Sequence, residues 1–322
     1  MASTQEIPGE AIRSAAAWAG PALAQTPSWI VPLTADERAE LRSALKQLRA
    51  QGLADDAPRP PLVTLQPTLR RWRDALRDGV GFVLVRGVPI EDCTRDEAAA
   101  LFGLLGRALG DAVPQNGAGE LICDVRDTGA DPTDPHTRLY TTRAEQDFHT
   151  DGADVIGLLA LVGGERRDPR RRLRARRPDL VPLLFDEWCF HLHGSFPPGF
   201  PAYFRMPICR WDGAHLATFF LGWYIRRAQA LPEVPPLTDT QREVLALFEE
   251  TANDPALYLD MQFEPGDIQW LKNSVILHKR TAYEDFDEPA RKRHLLRLWL
   301  TARDFADGDE RLRSGLTPEV LR

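Results

Sequence analysis

The chain has 322 residues, a net charge of −7, 43% hydrophobic and 27% charged residues, which suits a soluble globular protein of one large domain or two small ones. No run approaches the ~18–20 apolar residues of a membrane span, and the Ala-rich start, Met1 to Gln25, lacks the basic-then-apolar pattern of a secretory signal. Cys93, Cys123, Cys189 and Cys209 are scattered without a C-x-x-C pair, which excludes a zinc ribbon or disulfide scaffold and places the protein in the reducing cytoplasm.

Charge is unevenly spread. Residues 166–177 hold eight arginines against one aspartate, so the other 310 residues carry −14. An acidic majority of this kind argues against a nucleic-acid partner. The arginine tract itself reads by default as a solvated loop, with a nucleic-acid patch or an anion clamp as the alternatives.

In chain order, Thr34 followed by Glu37 forms a capping box opening a helix to about Gln51. A second helix spans Leu69 to Asp78, and Gly81 to Gly87 encloses a short apolar run, a buried strand. Thr94 to Leu109 is a third helix, Leu121 to Arg126 a strand, and Gly129 to Arg138 a polar loop. From His149 onward the pattern is mostly strands: Val155 to Val162, Phe185 to Leu192, Ala202 to Arg210, His215 to Leu221, Tyr258 to Phe263, Ile268 to Leu271, Val275 to His278 and Arg293 to Thr301. One helix, Thr238 to Asn253, interrupts them, and Glu264-Pro265-Gly266-Asp267 is a tight turn. The expected fold is mixed α+β, mainly β: a double-stranded β-helix (jelly roll) with flanking helices. Residues 1–75 form a helical segment packed on that core, 76–305 the core domain, and 306–322 a tail.

His149-Thr150-Asp151 is the stretch that carries chemistry. In an extended chain, residues i and i+2 share a face, so His149 and Asp151 would stand side by side with Thr150 turned away. A second histidine from a distant strand, His278, would complete two imidazoles and a carboxylate, which leaves three metal positions open as in non-heme Fe(II) oxygenases. Arg293 and Arg297 share a face on the last strand, although four-residue spacing also aligns them on a helix.

Four segments, Gln146-Asp147-Phe148-His149-Thr150-Asp151-Gly152, Phe263-Glu264-Pro265-Gly266-Asp267, Asn273-Ser274-Val275-Ile276-Leu277-His278 and Arg291-Lys292-Arg293-His294-Leu295-Leu296-Arg297, resemble the TauD/TfdA (taurine dioxygenase-like) family over roughly residues 70–305. The resemblance implies a jelly roll holding Fe(II) through His149, Asp151 and His278. It also implies 2-oxoglutarate as cosubstrate anchored by Arg293, with Arg297 gripping the cosubstrate or an acidic substrate group, and O2 as oxidant. The implied reaction hydroxylates a small polar or anionic molecule and releases succinate and CO2; Asp151 argues against halogenation. Homo-oligomerisation is left open. After Gly163-Gly164 the serine or threonine of relatives, a hydroxyl that helps hold the cosubstrate carboxylate, gives way to Glu165 and Arg166. Either an arginine replaces that hydroxyl or the segment is locally altered. The alternatives are a non-catalytic member of the same fold and a zinc hydrolase of jelly-roll type. Gln115, Asn116, Arg143 and Arg205 are further candidates to reach a substrate, and Phe219, Phe220, Trp223 and Tyr224 to wall its pocket. His136, His191, His193, His215 and His294 read as structural or solvated.

Overall fold

Alternating burial along the central strands sets the architecture. The computed structural model describes residues 14–53, 58–134, 137–168, 177–192 and 201–305, with the backbone alone at 164–168 and 289. Its helices are α1 (Gly20–Ala24), α2 (Ala35–Ala50), α3 (Gln66–Arg77), α4 (Arg95–Gly106), α5 (Gly222–Ala228) and α6 (Asp239–Ala252). Its strands are β1 (Ile30–Pro32), β2 (Phe82–Arg86), β3 (Asp111–Ala112), β4 (Ile122–Val125), β5 (Gln146–His149), β6 (Val155–Val162), β7 (Gly164–Asp168) and β8 (Glu187–His191), then β9 (Tyr203–Pro207), β10 (Cys209–Trp211), β11 (Leu216–Thr218), β12 (Leu259–Phe263), β13 (Ile268–Lys272), β14 (His278–Arg280) and β15 (His294–Thr301).

The major sheet runs β1-β2-β13-β6-β15-β3, with β4 also on β15, and the minor sheet runs β12-β7-β14-β5. One face of the major sheet, through Phe82, Leu84, Ile156 and Trp299, meets Met261 and Phe263 of the minor sheet in a single apolar cluster. Its other face, through Val83, Val85, Leu159 and Leu298, packs under Leu41, Trp72 and Phe102 of the helices. Strands buried on both faces read as continuous apolar runs, which is why Val155–Val162 stands out in the sequence. This is the jelly roll with flanking helices. A third cluster, rich in phenylalanine, joins β8–β11 to α5 and α6. No helix among the described residues is long and apolar enough to cross a membrane, and all four cysteines are free thiols.

Local chemistry fixes the element ends. Thr34, Thr94 and Thr238 each close a capping box, with Glu37, Glu97 and Gln241, satisfying helix-start N–H groups. At the Glu264–Asp267 turn Gly266 adopts φ 84°, where a Cβ would lie 2.5 Å from the Val88 carbonyl oxygen. The Asp267 carboxylate accepts from the Glu264 N–H and from Arg86.

Several expectations need correction. The strand expected over Val275 to His278 begins only at His278, because the Val275 and Ile276 N–H groups both return to the Lys272 carbonyl in a turn. Ala202 to Arg210 divides into β9 and β10, and the 203–207 segment pairs only with β8. The solvated loop expected over 166–177 fails at its start. There the β7 backbone pairs with β12 along five residues and with β14 at Lys279, so backbone pairing overrides an arginine-rich composition. Residues 169–176 lie outside the described residues, as does the expected 306–322 tail. The N-terminal segment does more than pack on the core, since β1 pairs in parallel with β2 as a strand of the major sheet.

Gly157 on β6 sits opposite Trp270 on β13. The missing side chain makes room for Trp270 to tilt against Phe102, ring centroids 5.2 Å apart. A Cβ at 157 would meet Trp270 carbons at 2.3 and 2.7 Å. Gly157→Ala therefore overpacks the core, and thermal or urea denaturation should find it about 1–3 kcal/mol less stable.

Candidate metal centre

Pairing between β5 and β14 brings two histidines together. His149 lies opposite His278 in the ladder, with ring centroids 4.1 Å apart. Asp151 follows two residues after β5 ends. One ligand atom from each of His149, Asp151 and His278 falls within 4.8 Å of the others, and His278 Nε2 is 3.6 Å from Asp151 Oδ2. All three side chains are buried.

Asp151 reaches this position by a route other than strand alternation. Beyond His149 the chain leaves the ladder: the Thr150 N–H donates to the Phe220 carbonyl, and the Thr150 hydroxyl accepts the Phe220 N–H. The Asn273 side chain then clamps the next residues. Its Oδ1 accepts the Asp151 N–H at 2.8 Å, and its Nδ2 donates to the Asp151 and Ala153 carbonyls at 2.7 and 2.8 Å. Asn273, five residues before His278, thus ties the carboxylate's backbone to the turn leading into β14.

The donor set fits a divalent cation. His149 Nδ1 lies 2.7 Å from the Asp147 carbonyl, so that nitrogen carries the proton and Nε2 keeps its lone pair toward the site. The Gln146 amide lies 3.0 Å from the same Nε2. Burial alone would raise the Asp151 carboxyl, but Arg297, then His278 and His149, outweigh it and hold the group well below the usual carboxylate range. A buried carboxylate kept ionised beside two imidazoles is a hard anionic donor with softer nitrogen partners, the set that suits ferrous iron.

The metal-facing residues form one wall of a cleft of about 410 Å³, counting its open mouth, lined also by Gln146, Tyr140, Arg280, Arg293, Leu295 and Arg297. Arg293, Leu295 and Arg297 all face it, which resolves the strand-or-helix ambiguity in favour of a strand: β15 pairs with β6, with a bulge after His294. Arg297 lies 3.3 Å from both Asp151 oxygens and donates through Nε to Gln115 at 2.7 Å. Gln115 returns its amide to the Leu121 and Arg297 carbonyls. Instead of reaching a substrate, Gln115 braces Arg297.

Arg293 is 6% exposed, and its Nε and Nη1 make no directed hydrogen bond. Burial lowers its basicity, partly offset by the Tyr283 phenol and Asp285. A buried guanidinium with unmet donors suits a carboxylate ligand, so the 2-oxoglutarate fit is as good as the metal fit.

Other expected residues lie elsewhere. Asn116 bonds within its own loop, to Glu120, and Phe219 and Phe220 are buried in the phenylalanine cluster. Arg143, Arg205, Trp223 and Tyr224 are absent from the cleft lining. His294 meets Asp124 at 2.7 Å and His215 meets Asp212 at an exposed hairpin. His191 sits on β8, and His136 and His193 lie outside the described residues. Arg177, the last of the arginine tract, pairs with Asp179 and Glu243 at the surface. The hydroxyl question after Gly164 falls on side chains outside the described residues.

Comparison with known proteins agrees with this geometry. The sequence model described as "Taurine catabolism dioxygenase TauD, TfdA family" matches residues 171–299. The FR-33289 synthase of Streptomyces rubellomurinus is 30% identical over 316 residues, covering 92% of this chain and 91% of that protein. The taurine hydroxylase-like protein SAT17 of Stachybotrys chartarum is 28% identical, covering 88% of this chain and 77% of its own length. Among solved structures, the non-heme iron oxygenase OrfP in complex with Fe and alpha-ketoglutaric acid superposes with TM-score 0.66 at 16% identity, over 85% of this chain and 93% of that one. An asparagine oxygenase with Fe(II), 3-hydroxyasparagine and succinate superposes with TM-score 0.63 at 19% identity, over 85% and 94%. The fold is that of these non-heme iron oxygenases. The chain belongs to the TauD/TfdA dioxygenase family.

Asn273→Ala removes three hydrogen bonds from the segment that aims Asp151. Divalent-cation affinity, measured calorimetrically with Co(II) or Mn(II), should fall roughly 10–100-fold. Unchanged affinity would mean that the carboxylate is held by Arg297 and Trp299 alone.

Proposed function

We propose that this protein is an Fe(II)- and 2-oxoglutarate-dependent dioxygenase in which His149, Asp151 and His278 hold the iron and Arg293 anchors the distal carboxylate of 2-oxoglutarate. The observation that carries the reading is the convergence of two imidazoles and one ionised carboxylate, all buried, on one wall of the cleft. When bound, iron and 2-oxoglutarate supply O2 activation, coupling oxidation of a substrate C–H bond to formation of succinate and CO2.

The chain's own residues set up that chemistry. Asp151 balances part of the metal charge. Arg297 and the Trp299 indole N–H, 3.3 Å from Asp151 Oδ2, hold its carboxylate in one orientation. Arg293 fixes the far end of the cosubstrate in a two-pronged pair, which sets direction as well as charge. Leu158 and Leu295 line the cleft between these polar groups and limit the water that reaches them.

The substrate is a small polar or anionic molecule. Support comes from the polar groups that line the cleft, Gln146 and Tyr140 among them. The fold neighbours' ligands, hydroxy-arginine in OrfP and hydroxyasparagine in the asparagine oxygenase, are small polar molecules. We place the enzyme in the cytoplasm on the strength of its four free thiols.

Two substitutions test the assignment. His278→Ala should abolish iron retention, measured by metal analysis of the purified protein, together with succinate formation from 2-oxoglutarate under air. A variant that keeps its iron removes His278 from the ligand set. Arg293→Ala should raise the 2-oxoglutarate requirement by the equivalent of about 2–5 kcal/mol, as expected when a buried charge pair loses one member. An unchanged KM for 2-oxoglutarate would place the anchor elsewhere.

A further inference from the structure

Strand alternation that puts His278 on the cleft wall puts Arg280 there too. β14 spans His278–Arg280, so 278 and 280 share one face while Lys279 takes the other. Lys279 borders the cleft but sends its ammonium away, to Asn253 and Glu145. Arg280 is 6% exposed, lines the cleft beside Arg293, and is fixed at one end. Its Nη2 donates to the Leu139 and Ala144 carbonyls at 2.9 and 2.5 Å. Its Nε and Nη1 are buried and make no hydrogen bond.

Arg280 and Arg293 flank the same Tyr283 ring, their guanidinium carbons 5.5 and 5.2 Å from its centroid. The charged or titratable groups acting on the pair are Tyr283, Asp285 and Asp127. The Asp285 Oδ1 accepts the Arg293 backbone N–H, and among the described residues no carboxylate bonds either guanidinium head. Two buried like charges with four unmet donors, Nε and Nη1 of each, are unstable together unless an anion joins them.

We infer that Arg280 is a second anchor for the distal carboxylate of the 2-oxo acid cosubstrate, completing with Arg293 a two-guanidinium clamp. The inference rests on the reading of Arg293 given above. A carboxylate offers about four acceptor positions; one guanidinium fork uses two, and the Nε and Nη1 edge of Arg280 meets the others. The ligand is the cosubstrate and not the substrate because Arg280 adjoins Arg293, whereas Arg297 is committed to Asp151 and Gln115 at the metal end of the cleft. A cation held by β14 also supplies what the serine or threonine hydroxyl supplies in the family pattern that this sequence lacks after Gly164.

The test is anaerobic titration of the Fe(II)-loaded enzyme with two 2-oxo acids, read by the visible charge-transfer absorption that chelation produces, so that no turnover is involved. 2-Oxoglutarate has the distal carboxylate; 2-oxobutanoate shares the chelating head and lacks it. Arg280→Gln should weaken 2-oxoglutarate binding roughly 10- to 100-fold and leave 2-oxobutanoate within about twofold. Arg280→Lys, which keeps the charge but cannot hold both carbonyls and ligand, should fall between, and it carries the test if the Gln variant does not fold. Equal weakening of both acids would overturn the inference, making Arg280 a prop for β14. No change with either acid would also overturn it. Arg293→Gln separates the two readings: if it alone weakens 2-oxoglutarate, the clamp fails and the Arg293 anchor stands, and if neither variant does, both fail.

Discussion

Asn273 is the residue on which the metal centre's geometry depends. Its side chain satisfies one N–H and two carbonyls of the Asp151–Ala153 segment, backbone groups that would otherwise be buried without partners. The strand holding His149 has ended by then, so nothing in the ladder constrains Asp151. The same asparagine lies on the turn that starts β14, and it therefore sets the distance between the carboxylate and His278 as well. A single amide fixes the relative position of two parts of the chain more than a hundred residues apart in sequence.

The charges around this point divide into a settled half and an unsettled half. At the metal end Asp151 has Arg297, Trp299 and two histidines around it, and Arg297 in turn has Gln115. The two buried ions there, Asp151 and Arg297, both meet partners, the condition under which a buried ionic network is tolerated. At the far end Arg280 and Arg293 oppose each other across Tyr283. Burial and then the neighbouring Arg293 charge push the Arg280 guanidinium down to about 10, still protonated near neutrality. The imbalance gives the cleft a direction: one end is already charge-compensated and the other carries two buried guanidiniums.

How much of this was legible in the sequence follows from which physical rule governs each residue. His149, Asp151, His278, Arg293 and Arg297 were singled out by their spacing, and the structure brings all five to one cleft. The long helices were legible from their threonine caps, and β6 from its apolar run. The same two-residue alternation applied to His149 and Asp151 would have found Arg280 from His278; the signal was present and points to the adjacent residue on the face. The alternation argument itself held for Arg293 and Arg297 but not for Asp151, whose side chain is aimed by a side-chain clamp with no signature in local spacing. Gln115 looked like a substrate-reaching polar residue, and only tertiary packing reveals that its partner is Arg297. The β7 strand was hidden because arginine-rich composition argues for solvent, while the strand is recruited by the open ladder edges of β12 and β14.

The last strand explains why the core and the site cannot vary independently. On β15, Leu296, Leu298 and Leu300 enter the helix-covered cluster, while Leu295, Arg297 and Trp299 face the opposite side, toward the cleft and the sandwich interior. A one-residue slip against β6 would exchange the two sets, burying a guanidinium beneath α4 and removing both the Asp151 partner and the cleft wall. The apolar half of the strand thus holds the register that the polar half needs. The bulge after His294 sits where pairing with β6 begins, and it allows Arg293 to enter the cleft although it lies outside the regular strand.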